Sequence, residues 1–332
     1  MLNTTKILVT GGAGFIGSHL VDKLLADGHT VVALDNLENG KEENLENAKT
    51  YSTFTFLKGD ILNSNEVDNA LEGVSVVYHL ACMGVRHSLH SPVYNHKVNA
   101  EGTLTLLEGS RKHKISKFFY ISTSEIYGDI ETFPITEAGI PKPKTVYGAS
   151  KLVGEHYAYS YYICFGLDTT VLRIFNNYGP RAHYEGDAGE IIPRSIVRMF
   201  YGEKPVVFGD GLVTRDFYFV KDTARALASL LNKTDITGQT FNIGTGVEIT
   251  MKNLLEKLIK LTGKDNELTI EYMPDRPADV PRLWVDASKF NAMSGMDNLK
   301  NFDEGLLETI EYYKTLIEKR NILDEIKLQN WQ

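Results

Sequence analysis

Short apolar runs alternate along the first 175 residues with longer segments in which apolar and polar residues mix at helical spacing. The runs are rich in β-branched and aromatic residues, and they are apolar almost throughout instead of at every second position. They are KILVT at 6–10, TVVAL at 30–34, FTFLK at 54–58, VSVVYHL at 74–80, KFFYIS at 117–122 and TTVLRIF at 169–175. Because strands of this kind are buried on both faces, the pattern predicts an α/β fold with a Rossmann-type doubly wound parallel sheet.

The alternation of short apolar runs and helical segments ends after residue 175. Two segments rich in Gly, Pro and polar residues follow, NNYGPRAHYEGDAGEIIP at 176–193 and TGKDNELTIEYMPDRPADVPR at 262–282, and such loops commonly carry specificity. Between them, DFYFV and QTFNIG are predicted to be strands that return to the main sheet. Apolar residues at helical spacing from Met251 to Ile259 predict a helix that ends near Gly263.

The first strand runs directly into GGAGFIG at 11–17, and a helical pattern follows. Glycines at these positions allow a tight turn and a close approach to a pyrophosphate, while the helix offers free N–H groups. The next strand ends at Asp35, where a carboxylate can accept a hydrogen bond from an adenosine ribose and would repel a 2′-phosphate. The motif therefore predicts NAD as the cofactor in preference to NADP. The predicted contacts here are Gly11, Gly14, Phe15, Ile16, Gly17, Asp35 and Asn36.

A tyrosine and a lysine share one face of a predicted helix in TVYGASKLVGEHYA, because Tyr147 and Lys151 are four residues apart. Tyrosine ordinarily has a pKa near 10, and a nearby ammonium together with the positive nicotinamide of NAD+ is expected to lower it. The ligand crevice of a parallel sheet lies at the carboxyl ends of its strands. Thr123 and Glu125, which follow KFFYIS, are therefore predicted to face the reacting group, Thr123 as a hydrogen-bond partner and Glu125 as a proton acceptor or donor.

The composition excludes several classes of function. A formal net charge of −8 and a pI near 5.6 argue against binding nucleic acid or anionic lipid by bulk electrostatics. Cys82 and Cys164 are too few for a disulfide framework and are predicted to be buried thiols in a reducing compartment. The spacing of His87, His90 and His96 matches no zinc pattern, so no metal is expected. Without a signal-peptide pattern or a membrane-length apolar run, the expected location is the cytoplasm.

The motifs together resemble the extended short-chain dehydrogenase/reductase superfamily, specifically its NAD-dependent nucleotide-sugar epimerases and dehydratases. The resemblance covers nearly the whole chain. It is carried by TGGAGFIG, DN at 35–36, GDI at 59–61, HLA at 79–81, NAEGT at 99–103, STSEIYG, YGASK, RIFNNYGPR and TRDFYFVKD at 214–222. It implies a nucleotide-diphosphate sugar as substrate and a homodimer formed through the Tyr147 helix and its neighbour. The expected domains are an NAD-binding domain, 1–175 plus about 216–245, and a nucleotide-sugar domain, about 176–215 plus 246–332.

The resemblance also implies roles for individual residues. Tyr147 resembles the base that takes the proton from the sugar C4 hydroxyl, Lys151 would hold the nicotinamide ribose, and Thr123 would share the hydroxyl contact. Further expected cofactor contacts are Asp60 and Ile61 at the adenine, Leu80 and Ala81 in the cofactor groove, and Asn99 near the nicotinamide. The expected substrate-binding residues are Arg86, Asn176, Arg181, Arg215 and Arg276, with His183 as a further candidate in the same loop as Arg181.

The segment TSEIYG distinguishes between the reactions that members of the family catalyse. Its Thr-Ser-Glu order resembles GDP-mannose 4,6-dehydratases, other sugar 4,6-dehydratases and UDP-glucuronate decarboxylases. Simple 4-epimerases generally lack a carboxylate at the position of Glu125, because a base near C5 would promote elimination. Ser124 is a further catalytic candidate, although glucose-type dehydratases usually carry Asp there.

Other features favour different members of the family. GVRHSLHSP at 84–92 resembles the corresponding segment of UDP-glucuronate 4-epimerases, and Arg181 matches an arginine of epimerases and decarboxylases that act on glucuronate. The prediction is a 4,6-dehydratase with Glu125 as the C5 base. The alternatives are a 4-epimerase of the UDP-glucose or UDP-glucuronate type, a UDP-glucuronate decarboxylase and a non-catalytic NAD-binding regulatory protein. A non-catalytic protein would have no reason to keep the Thr123, Tyr147 and Lys151 set.

Overall fold

The computed structural model describes residues 4–331, and the six predicted strands of the first 175 residues all form. The strands are β1 Lys6–Thr10, β2 Thr30–Asp35, β3 Phe54–Lys58, β4 Val76–His79, β5 Lys117–Thr123, β6 Thr169–Ile174, β7 Asn176–Tyr178, β8 Val206–Phe208, β9 Thr214–Phe219, β10 Thr240–Ile243, β11 Glu248–Thr250 and β12 Glu271–Met273.

Helices follow most of the strands. They are α1 Phe15–Ala26, α2 Ser64–Ala70, α3 His87–His90, α4 Pro92–His96, α5 Gly102–Lys112, α6 Val146–Phe165, α7 Ile191–Phe200, α8 Val220–Ser229, α9 Met251–Leu261, α10 Ser288–Ser294 and α11 Phe302–Lys319. Short 3-10 turns cover Glu42–Leu45, Ala48–Thr50, Ser124–Ile126 and Leu323–Glu325, and a π-helical turn covers Lys97–Glu101. Within residues 4–331, no helix is long and apolar enough to cross a membrane.

The main sheet has seven parallel strands in the order β10-β6-β5-β4-β1-β2-β3. The chain winds outward from β1 in one direction and from β4 in the other, so the strand order reverses between these two neighbours. A crevice at the carboxyl ends of the strands is expected at such a switch point. The predicted doubly wound fold is confirmed.

Both faces of the main sheet are buried, as the uninterrupted apolar strands predict. Ile7 and Val9 of β1 lie in one apolar cluster with residues of α1 and α8, whereas Leu8 lies in a second cluster with residues of α2, α5 and α6. Successive side chains of a strand point to opposite faces, so β1 contributes to both clusters. The helices therefore form one layer on each side of the sheet.

A third apolar cluster contains residues of β7, β9 and helices α7, α9 and α11. The strand predicted over DFYFV forms as β9, but the prediction that it returns to the main sheet is wrong. It pairs with β7 and β11 in a separate three-stranded sheet, where its Phe219 ring lies 5.4 Å from the Tyr178 ring. Aromatic packing holds β9 in this smaller sheet. The apolar pattern of the strand does not show which sheet it joins. QTFNIG does join the main sheet, as β10 beside β6.

The predicted helix after residue 250 is confirmed. Thr250 caps its start by accepting a hydrogen bond from the N–H of Asn253. The helix ends at Leu261, and Gly263 adopts a left-handed φ of +70° two residues later.

Candidate active site

A cavity of about 420 Å³ opens at the carboxyl ends of the central strands. The glycine-rich turn after β1 and the ends of β2 and β4 form one end of it, and the end of β5 and the start of α6 form its middle. The loop-rich segments 176–193 and 276–280 close the other side. The crevice therefore lies at the switch point of the sheet, with both loop-rich segments facing it.

The glycine-rich turn has no room for side chains. Gly11 has a φ of +68°, and a Cβ added there would lie 2.8 Å from the Ala81 nitrogen. A Cβ at Gly17 would lie only 2.0 Å from the Gly11 carbonyl oxygen. Gly14 precedes α1 without a side-chain cap, so the first N–H groups of α1 remain available to a ligand. These observations fit a dinucleotide whose pyrophosphate rests on the turn and on the start of α1.

Asp35 ends β2 at the same edge, and its side chain is 7% exposed. One carboxylate oxygen accepts from the Ala13 N–H at 3.0 Å and the other accepts from the Leu37 N–H at 2.9 Å. Burial raises the pKa of Asp35, while these two N–H groups oppose the shift. Because a carboxylate has more acceptor positions than the two used here, Asp35 can also accept from a ribose hydroxyl.

The Asp35→Asn substitution is expected to weaken NAD binding about tenfold, because it removes a charge-assisted hydrogen bond to the ribose. Discrimination against NADP should fall at the same time, since repulsion of the 2′-phosphate disappears. Dissociation constants for both cofactors, measured by calorimetry on protein with an unchanged circular dichroism spectrum, check this. An unchanged ratio of the two constants would remove Asp35 from cofactor selection.

The remaining cofactor candidates surround the same end of the cavity. Asp60, Ile61, Leu80 and Ala81 line it, as do Phe15, Ile16 and Asn36. Asn99 does not line the cavity and is 1% exposed. Its Oδ1 accepts from the Met83 N–H at 2.8 Å, and its Nδ2 donates to the Met83 carbonyl at 3.0 Å. Asn99 therefore holds the wall of the cavity in place from behind.

Tyr147, Thr123 and Lys151 all line the middle of the cavity. Gly148 makes this arrangement possible, because a Cβ there would lie 2.7 Å from the Glu125 carbonyl oxygen. The start of α6 can thus approach the turn that follows β5. Thr145 caps α6 by accepting from the Gly148 N–H at 3.1 Å, which fixes the first turn that carries Tyr147.

Burial is the largest influence on the pKa of Tyr147 in the protein. Burial raises the pKa of Tyr147 well above its usual value; Cys82 and Glu125 act in the same direction, and a hydrogen bond with Thr123 acts against them. The Lys151 ammonium lies 4.5 Å from the centre of the Tyr120 ring, and burial lowers the pKa of Lys151. The protein alone therefore favours a protonated Tyr147, because burial and the neighbouring acidic groups outweigh the hydrogen bond with Thr123.

Glu125 also lines the cavity, in the 3-10 turn directly after β5. The Thr123 hydroxyl accepts from the Glu125 N–H at 3.2 Å and so orients this turn. Burial raises the pKa of Glu125, and the positive charge of Arg215 opposes the shift. Ser124 lines the cavity as well and is 3% exposed. The turn thus presents a carboxyl group of raised proton affinity beside Tyr147.

Three of the four predicted arginines reach the cavity. Arg86, Arg215 and Arg276 line it, and Asn176 does so with an Oδ1 atom that has no protein partner. The Arg215 guanidinium forms an ion pair of 2.8 Å with the Asp279 carboxylate, and no sequence motif marks Asp279.

The fourth arginine, Arg181, does not reach the cavity. Its guanidinium lies 2.8 Å from the Asp22 carboxylate, and its own backbone has a φ of +66°. The ion pair holds this side chain against α1, outside the residues that line the cavity. The structure does not bring Arg181 to the cavity, and its role in substrate binding stays a prediction.

Several other positions differ from the sequence predictions or were missed by them. Neither cysteine is fully buried, because Cys164 is exposed on α6 and the half-buried Cys82 lines the cavity. His183 lines the cavity, with its Nδ1 2.9 Å from Glu185. Trp331 also lines it, and no sequence motif marks this residue. Among the described residues, no group of three or more His, Cys, Asp or Glu side chains is placed to hold a metal ion.

Comparison with known proteins gives matches over nearly the whole chain. A family model described as GDP-mannose 4,6 dehydratase matches residues 8–309. The UDP-glucose 4-epimerase of Mycolicibacterium smegmatis is 35% identical over 312 residues, which cover 93% of this chain and 98% of that protein.

Solved structures give the same result. The dTDP-glucose 4,6-dehydratase of Streptomyces venezuelae, solved with NAD bound, is 30% identical with a TM-score of 0.89, over 95% of this chain and 98% of that one. The UDP-glucuronic acid 4-epimerase of Bacillus cereus, solved with UDP-glucuronic acid and NAD, is 33% identical with a TM-score of 0.88, over 94% and 100%. These proteins carry different activities at nearly equal similarity to this chain.

Proposed function

Because the chain belongs to the GDP-mannose 4,6-dehydratase family of NAD-dependent nucleotide-sugar-modifying enzymes, we propose that it is a nucleotide-sugar 4,6-dehydratase acting through a 4-keto sugar. The resemblance drawn from the motifs is confirmed at the level of the family. The observation that carries the proposed reaction is Glu125, whose carboxyl group lines the cavity beside Tyr147 and Thr123.

The cofactor site suits NAD through the glycine-rich turn, the uncapped start of α1 and Asp35. Bound NAD+ would supply a hydride acceptor for C4 and, once reduced, a hydride donor for C6. Tyr147 takes the proton of the C4 hydroxyl, and Thr123 holds that hydroxyl in place. Since burial raises the pKa of Tyr147, its deprotonation depends on positive charge brought to the site, which the nicotinamide of NAD+ would supply.

Glu125 acts in the second stage, the loss of water from C5 and C6. A 4-keto group acidifies the C5 proton, so the Glu125 carboxylate can remove it, and the Glu125 carboxyl can pass that proton to the C6 hydroxyl, which leaves as water. A solvent proton is added at C5 when hydride returns to C6. The carbon–hydrogen bond at C5 and the carbon–oxygen bond at C6 break, and a C5–C6 double bond forms. A raised pKa makes Glu125 a stronger base than a glutamate in water, and it matches the proton acceptor better to a weakly acidic C–H group.

A 4-epimerase is the second candidate. The segment 84–92 resembles the corresponding segment of UDP-glucuronate 4-epimerases, and its Arg86 lines the cavity. The match of Arg181 to an arginine of glucuronate enzymes favoured a glucuronate 4-epimerase or a decarboxylase. Arg181 pairs with Asp22 and does not line the cavity, so it gives these two alternatives less support. An epimerase has no use for a base at C5, and Glu125 therefore favours dehydration.

The proposed reaction can be tested with purified protein, NAD+ and a panel of UDP-, GDP-, CDP- and dTDP-sugars with uronates included. Mass spectrometry separates the outcomes by the product formed. Loss of one water supports the dehydratase, an unchanged mass with inverted C4 supports the epimerase, and loss of carbon dioxide supports the decarboxylase. Either of the last two would overturn the proposed reaction.

The pH dependence of dehydration should reflect the protonation state of the Glu125 carboxyl group. Because burial raises its pKa, the acid limb of kcat should lie above the value of about 4.3 that is usual for glutamate. Activity is expected to rise with pH across that limb, since only the carboxylate can accept the C5 proton. A pH profile of kcat measures this, and a limb at or below the usual glutamate pKa would contradict the assignment.

We also propose that the protein is a homodimer formed through α5 and α6. Exposed apolar side chains lie on this surface, where Tyr159 is 53% and Ile163 is 60% exposed, four residues apart on one face of α6. Ile163→Arg is expected to convert the dimer to a monomer in sedimentation velocity. Leu212→Arg, which changes an equally exposed leucine elsewhere, should leave the dimer intact. A monomeric parent protein, or a dimeric Ile163→Arg variant, would contradict the proposal.

A further inference from the structure

Residues 320–331, here called the closing segment, pack along the loop 183–190 and the start of α7. Arg194 of α7 donates from one guanidinium nitrogen to the carbonyls of Lys327 at 2.6 Å and Leu328 at 2.8 Å. The Gly186 N–H donates to the Glu325 carbonyl at 3.0 Å. The segment is therefore fixed against the substrate side of the cavity by backbone and side-chain contacts together.

Asn330 anchors the last part of the closing segment. Its side chain is 0% exposed, and its Nδ2 donates to the Gly189 carbonyl at 3.0 Å. Lys327 adds an ion pair to Asp187 at 3.1 Å, and Asp187 also lies 2.5 Å from His90. A buried amide with a defined partner holds the following residue, Trp331, in a defined position.

Trp331 lines the cavity, and its ring meets the Phe208 ring edge to face, with centroids 4.8 Å apart at 82°. The Arg276 guanidinium lies 5.4 Å from the centre of the same Phe208 ring. Arg276 also lines the cavity, on the side opposite the glycine-rich turn. An aromatic group therefore stands next to one of the arginines proposed to hold the substrate.

We infer that Trp331 forms an aromatic wall against which the base of the substrate's nucleoside diphosphate packs. The inference rests on the proposed nucleotide-sugar substrate. Arg215 and Arg276 line the cavity, and each pairs with Asp279 at 2.8 Å. Guanidinium groups suit phosphate oxygens, because they bind them through parallel hydrogen bonds. With the sugar at Tyr147 and the diphosphate at these arginines, the base extends further from the glycine-rich turn, to the end of the cavity where Trp331 lies. Every base has a π face, and stacking on an indole ring stabilises it.

The chain allows a direct optical test, because it contains only two tryptophans. Trp284→Phe leaves Trp331 as the sole indole fluorophore, and Trp284 does not line the cavity. Adding UDP or GDP to this variant in the presence of NAD+ should change the Trp331 emission, whereas pyrophosphate, which has no base, should leave it unchanged. Absence of any change at saturating UDP and GDP, with binding verified by calorimetry, would overturn the inference.

Affinity gives an independent test. Trp331→Ala should weaken binding of the preferred nucleoside diphosphate about tenfold and leave the dissociation constant of pyrophosphate unchanged. Trp331→Phe should restore most of the affinity. Leu328→Ala is the matched control, since Leu328 is exposed in the same segment and does not line the cavity.

Two other outcomes would overturn the inference. Equal weakening of UDP, GDP and pyrophosphate by Trp331→Ala would mean that the residue supports the phosphate site instead of the base. Tighter binding by Trp331→Ala would mean that the indole itself occupies the base position. Because these experiments use unreactive nucleotides, they distinguish a failure of this inference from a failure of the proposed reaction, which is judged by product alone.

Discussion

Glu125→Gln is expected to lower the rate of dehydration by about 10²–10⁴-fold, the usual contribution of a positioned general base. Glutamine keeps the size and shape of the side chain but cannot accept the C5 proton. Oxidation at C4 depends on Tyr147 and Thr123, so a nucleotide sugar should still reduce the cofactor, and absorbance at the NADH band should persist. Rapid-mixing measurements of that absorbance, paired with product analysis, separate the two stages.

The stability of Glu125→Gln provides the control for misfolding. Because burial raises the folded-state pKa of Glu125, the folded protein binds this proton more tightly than the unfolded chain. The ionised group therefore destabilises the fold once the pH exceeds the unfolded pKa, and the neutral amide removes that cost. The melting temperature at neutral pH should be unchanged or higher. A variant with full dehydration activity would show that Glu125 is not the C5 base.

Tyr147→Phe is expected to abolish the first stage, with a loss of at least about 10²–10⁴-fold in C4 oxidation. Phenylalanine preserves the ring but removes the only phenol placed beside Thr123 and Glu125 among the residues that line the cavity. Dehydration should be lost to the same extent, since no 4-keto sugar forms. Steady-state product formation and NADH absorbance should therefore fall together.

The matched control is Tyr157→Phe, which changes a tyrosine of the same helix that does not line the cavity. This variant should keep full activity. If Tyr147→Phe still reduced the cofactor at a rate near that of the parent protein, another group would have to accept the C4 hydroxyl proton.

Features that depend on local pattern could be predicted from the sequence. The main sheet follows from strands that are apolar throughout, and the cofactor end of the cavity follows from the glycine-rich motif, where added Cβ atoms at Gly11 and Gly17 would meet backbone within 3 Å. TSEIYG could be placed at the cavity because the carboxyl ends of parallel strands share one edge. These inferences needed only strand order and residue type.

Features that depend on distant partners could not be predicted. β9 pairs outside the main sheet because aromatic rings far apart in the chain pack together, and Arg181 pairs with Asp22 of α1, about 160 residues earlier in the chain. The pKa of Tyr147 is set by burial, which a spacing of four residues to Lys151 cannot reveal. Trp331 reaches the cavity only because the closing segment packs along a loop about 140 residues earlier in the chain.

The most direct test of the central claim is incorporation of deuterium from solvent. The protein is incubated with NAD+ and its preferred nucleotide sugar in deuterated water, and the product is examined by NMR. Dehydration with Glu125 as the base predicts a product that has lost water and carries deuterium at C5. A product of unchanged mass, with inverted C4 and no deuterium at C5, would contradict the dehydratase account and identify a 4-epimerase.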